Sequence, residues 1–403
     1  MRGRAWAVAA LGALLVPLTG CGGSGPTPDT TRTTAIQRVL DRRADAVMDR
    51  DAAAYRATGD AEPELVTDLG KVPLDSWRYK VTRVETASAR TVRVSAELSY
   101  RVDGYDDAPL VTDRTLELRR SGDASGPGTG TWSVTADRPA KGSGEQLWEQ
   151  GEVTVVSGAH SLVLGVGRSS ARLRAYAALA DHAVPAVDSA WGTHWARKVV
   201  LLVPKSLDAM GELLGAPASG YRGIAAVTTG EAGGSRTAPA DRVIVNPDAY
   251  AVLGDFGKQV VLTHETTHVA TRASTSAATP LWLSEGYADW VGYRGTGRTP
   301  AQVAPELQKV VRAGDAPSEL PDDRAFRFSS ESGELARAYE SGWLACRMIA
   351  DKWGERKLAS FYAAVGAHHG RSGAVDAALN RVLGVDEPAF VAQWRSYVRD
   401  ELG

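Results

Sequence analysis

His264-Glu265-Thr266-Thr267-His268 is the stretch on which the reading of this chain turns. In an α-helix, residues four apart stand on one face, so two imidazoles can be aimed at a single tetrahedral ion. Glu265 sits one residue on. It is swung around the helix toward the side where a third protein ligand would leave a water, and its carboxylate can take that water's proton as general base. The neighbours predict the helix: Phe256, Val260, Val261 and Leu262 precede the pentad, Val269 and Ala270 follow, and no Pro or Gly interrupts between Lys258 and Ala273.

A third ligand must come from another element. Pro280 opens the segment Leu281-Trp282-Leu283-Ser284-Glu285-Gly286-Tyr287-Ala288-Asp289-Trp290, whose apolar residues suit a second helix lying under the first. Glu285 is the candidate, because two crossing helices can bring a carboxylate from one onto a metal held by the other. That gives a two-histidine, one-glutamate site with an open fourth position. Asp289 lies one helical turn beyond Glu285; it can accept the free N–H of His264 or His268, or it can be a solvated helix residue. Trp282 and Trp290 read as core residues between the two helices.

HETTH followed by PLWLSEGYADW resembles the thermolysin-like gluzincin peptidases, closest to their short bacterial peptidase MA-like members, over roughly residues 150 to 400. The resemblance implies that His264, His268 and Glu285 ligate one Zn2+ ion and that Glu265 activates the zinc-bound water. Tyr339, in Ala338-Tyr339-Glu340-Ser341-Gly342-Trp343, is similar to the tyrosine of the YxxG segment whose hydroxyl steadies the tetrahedral oxyanion. Ile224, Ala225, Ala226 and Val227 stand where the edge strand that receives an extended peptide is expected. Neither a GxMEN exopeptidase signature nor an obvious pair of N-terminus-anchoring glutamates is visible there, which leaves open whether termini or interior bonds are cleaved.

The other histidines carry no such pattern. His160, His182 and His194 are isolated, and His368 and His369 sit in the polar loop signal Gly366-Ala367-His368-His369-Gly370, assigned to solvent. Arg2 and Arg4 precede an apolar run from Ala5 to Leu18 that is too short for a permanent membrane helix and reads as an export signal over residues 1–20. Leu18-Thr19-Gly20-Cys21 resembles the bacterial lipobox. The implied product is Cys21 lipidated, with the protein exported and anchored to the outer face of the bacterial cytoplasmic membrane. Residues 21–34, rich in Gly, Ser, Pro, Thr and Asp, are expected to form a flexible tether. Of two cysteines, only Cys346 remains, so no internal disulfide is available, and its apolar helical context predicts a buried small hydrophobe.

The fold class expected is α+β. Residues 35–140 open with a helical stretch to about Ala57, with Ile36, Val39, Leu40, Ala44 and Val47 at helical spacing. Alternating strands follow at 77–84, 91–102, 111–119 and 132–136. A helix against a curled antiparallel sheet resembles, in pattern, the nuclear transport factor two-like cone fold. After a joint at 140–150, residues 150–403 are expected to form a thermolysin-like domain, with a mixed sheet lobe, the two zinc helices and a helical lobe. Forty-six basic and 48 acidic residues are mixed along the chain, which gives no sign of a nucleic-acid partner. The expected partners are a peptide or protein substrate and the membrane, with the protein a monomer. Two other readings remain: a zinc-containing binding lipoprotein without turnover, and a zinc amide hydrolase acting on cell-wall peptides.

Overall fold

The computed structural model describes residues 28–62, 64–88, 90–122, 130–229, 240–327 and 332–403. The expected export signal and Cys21 lie outside them. Among the described residues no helix is long and apolar enough to cross a membrane. The architecture is mixed α+β, with one antiparallel and one mixed sheet.

Helix α1 (Pro28–Met48) buries Ile36, Val39, Leu40, Ala44 and Val47, the face its spacing predicts. It differs from expectation at both ends. Residues 28–34 are helical rather than part of a tether. Their composition is poor in helix formers, but the helix docks along the first sheet, where the Arg32 guanidinium donates to the Thr86 hydroxyl at 2.8 Å. At the other end Arg50 takes a left-handed φ of 56°, and the Asp51 carboxylate accepts the amides of Ala53 and Ala54, both at 2.9 Å, starting a separate helix α2 (Ala52–Ala57). One expected helix is therefore two. A short helix α3 (Leu65–Leu69) precedes the strands β1 (Leu74–Thr86), β2 (Thr91–Val102), β3 (Leu110–Arg120) and β4 (Trp132–Pro139). They pair antiparallel in the order β1-β2-β3-β4. Along β2, Val92, Val94, Ala96, Leu98, Tyr100 and Val102 all point inward, as period-two alternation demands.

Charge is buried beneath this sheet. Arg114 binds Asp137 at 2.8 Å and Glu149 at 2.5 Å, Tyr79 donates to Asp137 at 2.7 Å, and Glu62 stands 4.0 Å from Arg114. Burial, with Asp137 and Glu149 adding to it, pushes the Glu62 carboxyl up to about 7 in spite of Arg114 and Arg43. The folded state thus holds this proton more tightly than the unfolded chain, whose ordinary value is 4.5. The stabilisation is complete below about pH 4.5 and is lost as the pH rises through about 7. Glu62→Gln is expected to remove that dependence; denaturant unfolding of both proteins across the window checks it, and parallel profiles would count against it.

The second sheet contains β5 (Val153–Ser157), β6 (Ser161–Val166), β7 (Val199–Val203), β8 (Ala226–Thr228) and β9 (Val243–Val245), in the order β5-β6-β7-β9-β8. The β6–β7 and β7–β9 pairs are parallel and the outer pairs antiparallel. Helices α4 (Ser170–Trp191), α5 (Leu207–Leu214) and α6 (Pro247–Ala251) connect it, and α4 is the crossover between β6 and β7. Both faces are covered. Val163, Val199, Leu201, Val203, Val243 and Val245 pack with Leu173, Ala177 and Val184 of α4, whereas Leu162, Leu164, Val166 and Val200 join the core of the first sheet. The joint at 140–150 is part of this layer, with Leu147 and Trp148 buried in the shared core. The N-terminal half is therefore one wall of the second sheet, and deleting it would strip that apolar face.

The rest is helical: α7 (Asp255–Thr271), α8 (Leu281–Tyr293), α9 (Pro300–Val303), α10 (Pro305–Arg312), α11 (Ser332–Trp353), α12 (Glu355–Gly366), α13 (Ala374–Ala378) with a π turn at Leu379–Leu383, and α14 (Glu387–Leu402). Helices α8, α11, α12 and α14 share one core, in which Cys346 is fully buried as its apolar context predicts.

Candidate metal centre

Helix α7 lies across the second sheet on Leu262 and presents His264 and His268 from its opposite side. Helix α8 packs against it, with Pro280 in an extended conformation just before the first turn. The close approach of α8 and α11 depends on glycine. A methyl on Gly286 would stand 2.3 Å from the Gly342 backbone, and one on Gly342 would stand 2.5 Å from the Trp282 carbonyl oxygen. This crossing carries α11 close enough for Tyr339, almost one turn before Gly342, to reach the site. Glu340 ties the same turn to α10 by accepting the amides of Glu306 at 3.2 Å and Leu307 at 2.5 Å. Gly286→Ala is accordingly expected to cost about 1–3 kcal/mol through overpacking. Denaturant unfolding checks this, and wild-type stability would show that the crossing tolerates a methyl.

His264, His268 and Glu285 are the one group of potential metal ligands found among the described residues, with ligand atoms within 4.8 Å of one another. The two Nε2 atoms are 3.0 Å apart, and Glu285 Oε2 lies 3.3 Å from His264 Nε2 and 3.4 Å from His268 Nε2. A tetrahedral ion with bonds of about 2.0–2.1 Å separates its ligands by about 3.3–3.4 Å, so this triangle has the size of one face of a zinc coordination sphere. The donor set, two imidazole nitrogens and a carboxylate oxygen, fits zinc as well.

Asp289 is half-buried and engaged with a histidine. Its Oδ1 lies 2.8 Å from Nδ1 of His264, which fixes the ring and leaves Nε2 turned to the centre. Glu265 is 6% exposed, and its Oε2 accepts the Thr228 hydroxyl at 2.6 Å. Burial pushes the Glu265 carboxyl up despite His264 and Thr228. Burial also opposes charge on Glu285, but His268 and His264 outweigh it and hold that carboxyl far below the usual range. For His264, burial is overcome by Asp289 and Glu285, and its proton affinity is raised well above that of a free imidazole. Three carboxylates around two imidazoles favour positive charge at this point, which suits a divalent cation.

A cleft of about 600 Å³ opens over His264 and Glu265, with Ile224, Ala225 and Ala226 on one wall and Val261, Tyr293 and Tyr339 on others. The Tyr339 ring centroid is 6.5 Å from that of His264 and 5.2 Å from that of Phe326. The expected strand at 224–227 is displaced. Ile224 closes a turn on the Tyr221 carbonyl, and the Ala225 carbonyl accepts the Asn246 amide outside the regular ladder. The strand proper is Ala226–Thr228, at the edge of the sheet as expected. Thr228 is the residue that sequence reasoning passed over. Its signal was a hydroxyl residue two positions from Ala226, hence on the face that meets α7. The loop histidine His368 contacts the Gly370 carbonyl at 2.7 Å and belongs to no ligand group. No protein-family model and no curated protein matches the chain.

Proposed function

We propose that the protein is an extracytoplasmic zinc metallopeptidase of the thermolysin-like gluzincin type, close to the peptidase MA-like members. In this reading its first half is a nuclear transport factor two-like cone domain, and Cys21 carries a lipid anchor. The observation that carries the reading is the triangle of His264, His268 and Glu285, with separations of 3.0, 3.3 and 3.4 Å, and a buried carboxylate at the next helical position. His264, His268 and Glu285 would hold the zinc, which would supply Lewis acidity toward a carbonyl and a water. Glu265 takes the water's proton and passes it to the leaving amine. Asp289 keeps His264 in the tautomer that leaves Nε2 free. The edge of β8 can pair with an extended peptide backbone, placing a scissile carbonyl over the helix.

Tyr339 donates to the developing oxyanion from across the cleft. Tyr339→Phe is expected to lower kcat on the order of a hundredfold while zinc content stays unchanged. Normal turnover in that variant removes Tyr339 from the mechanism.

The test of the whole reading is zinc stoichiometry on residues 22–403 and its Glu265→Gln variant, both run against proteins, a mixed peptide library and cell-wall fragments. One zinc per chain in each, with cleavage of proteins or peptides by the first alone, supports the peptidase. Cleavage confined to wall fragments favours the amide hydrolase, zinc without cleavage favours a binding lipoprotein, and absence of zinc ends the reading.

A further inference from the structure

Thr228 stands on the face of β8 that also carries Ala226, paired across to Val243 and Val245, and this face looks onto α7. Its side chain is 1% exposed and its hydroxyl reaches Oε2 of Glu265 at 2.6 Å, with the Glu265 carbonyl further off at 3.2 Å. One O–H donates one strong bond, and the charge-assisted bond to the carboxylate is the shorter. The consequence is directional. With Oε2 occupied, Oε1 receives no hydrogen bond from the described residues and is the oxygen left to receive a proton in the cleft. Thr228 is itself fixed. The next residue, Thr229, exchanges bonds with Arg242, its amide donating to the Arg242 carbonyl at 2.8 Å and its hydroxyl accepting the Arg242 amide at 2.8 Å. The Arg272 guanidinium, at the far end of the metal helix, donates to the Thr229 carbonyl at 2.8 Å. The residue after Thr228 is thus tied both to the neighbouring strand segment and to the end of α7.

We propose that Thr228 is a positioning residue for the general base: it selects which carboxylate oxygen of Glu265 faces the substrate and holds the side chain in that rotamer. This rests on the peptidase reading above. The strand that receives the peptide backbone and the group that orients the base are then one element, so seating of the substrate and alignment of the base are mechanically linked.

The test compares Thr228→Val, which keeps the shape and deletes the hydroxyl, with Thr228→Ser, which keeps the hydroxyl. Thr228→Val is expected to lower kcat by about tenfold to a hundredfold, the usual effect of losing a partner that orients a site residue, with KM and zinc content unchanged. Thr228→Ser should stay within about twofold of the wild type on the same argument. In the Glu265→Gln background the valine change should lower the residual rate no further, since there is no base left to orient. Crystal structures of the zinc-loaded wild type and Thr228→Val should differ in the Glu265 rotamer. Wild-type kcat in the valine variant, or a serine variant as slow as the valine one, overturns the proposal. Should the wild type itself lack turnover, the peptidase reading fails separately, and an unchanged Glu265 rotamer in the valine structure overturns the positioning role on its own.

Discussion

Glu265→Gln is expected to leave one zinc per chain and to lower turnover by on the order of a thousandfold or more. The substitution is nearly isosteric. It touches none of His264, His268 and Glu285, whose atoms form the ligand triangle, and an amide can still meet the Thr228 hydroxyl at the place where Oε2 now lies. What disappears is the capacity to accept a proton from water and return it to the leaving amine. His264→Ala is the informative contrast. It removes one corner of the triangle and leaves Asp289, now 2.8 Å from Nδ1, with no imidazole to hold, so zinc and turnover are expected to go together. Metal analysis beside steady-state rates separates the two cases. Turnover by Glu265→Gln within a few-fold of the wild type would mean that another group takes the proton, and the assignment of Glu265 would have to be abandoned.

The parts of this centre differ in how far the sequence revealed them, and the difference is physical. His264 and His268 were legible because helix periodicity alone puts them on one face. Glu285 was legible because the SEG segment follows at a distance that lets a second helix cross the first. Asp289 was ambiguous, since one turn beyond Glu285 a carboxylate can point at a histidine or at water; the packing of α8 on α7 decides it. Of Thr228 the sequence showed only a hydroxyl residue two positions from Ala226, with nothing to name its partner. Its partner is 37 residues away and on another element, and only the seating of α7 on β8 brings hydroxyl and carboxylate together. The same holds for Gly286 and Gly342, whose small size matters only at a helix crossing. Local signals also misplaced boundaries where packing overrides propensity. Residues 28–34 look like tether yet extend α1 along the first sheet, and the helix expected through residue 57 breaks where Asp51 caps a new start. The strands of the first sheet fared better, because alternation is read residue by residue: β2 has the bounds its pattern predicts.

Asp106→Ala is expected to be the most destabilising single change outside the candidate metal centre, at about 3–5 kcal/mol, because it leaves the Arg242 guanidinium buried without its counter-charge. The two side chains are 1% and 4% exposed, and they pair twice, Nη1 to Oδ1 at 2.6 Å and Nη2 to Oδ2 at 2.8 Å. Asp106 also accepts the Val102 amide at 2.7 Å, so its loss frees a backbone donor as well. Against a total stability of about 5–15 kcal/mol for an ordinary domain, this is a large share. The pair is separated by 136 residues and joins the two halves of the chain, the end of β2 to the start of β9. Since the halves also share the core that contains Leu162, Leu164 and Val200, they should unfold in one transition, and Asp106→Ala should shift that transition rather than split it. Adding Arg242→Ala should cost less than the sum of the two single changes, because the second substitution removes the charge that the first stranded. Denaturant unfolding of the four proteins gives the cycle. A loss below about 1 kcal/mol in Asp106→Ala would mean that water reaches the pair, and two separate transitions would mean that the N-terminal half folds alone. If the single transition holds, the arrangement of β8 beside the metal helix depends on a contact made more than a hundred residues earlier in the chain. The N-terminal sheet is then a structural part of the centre.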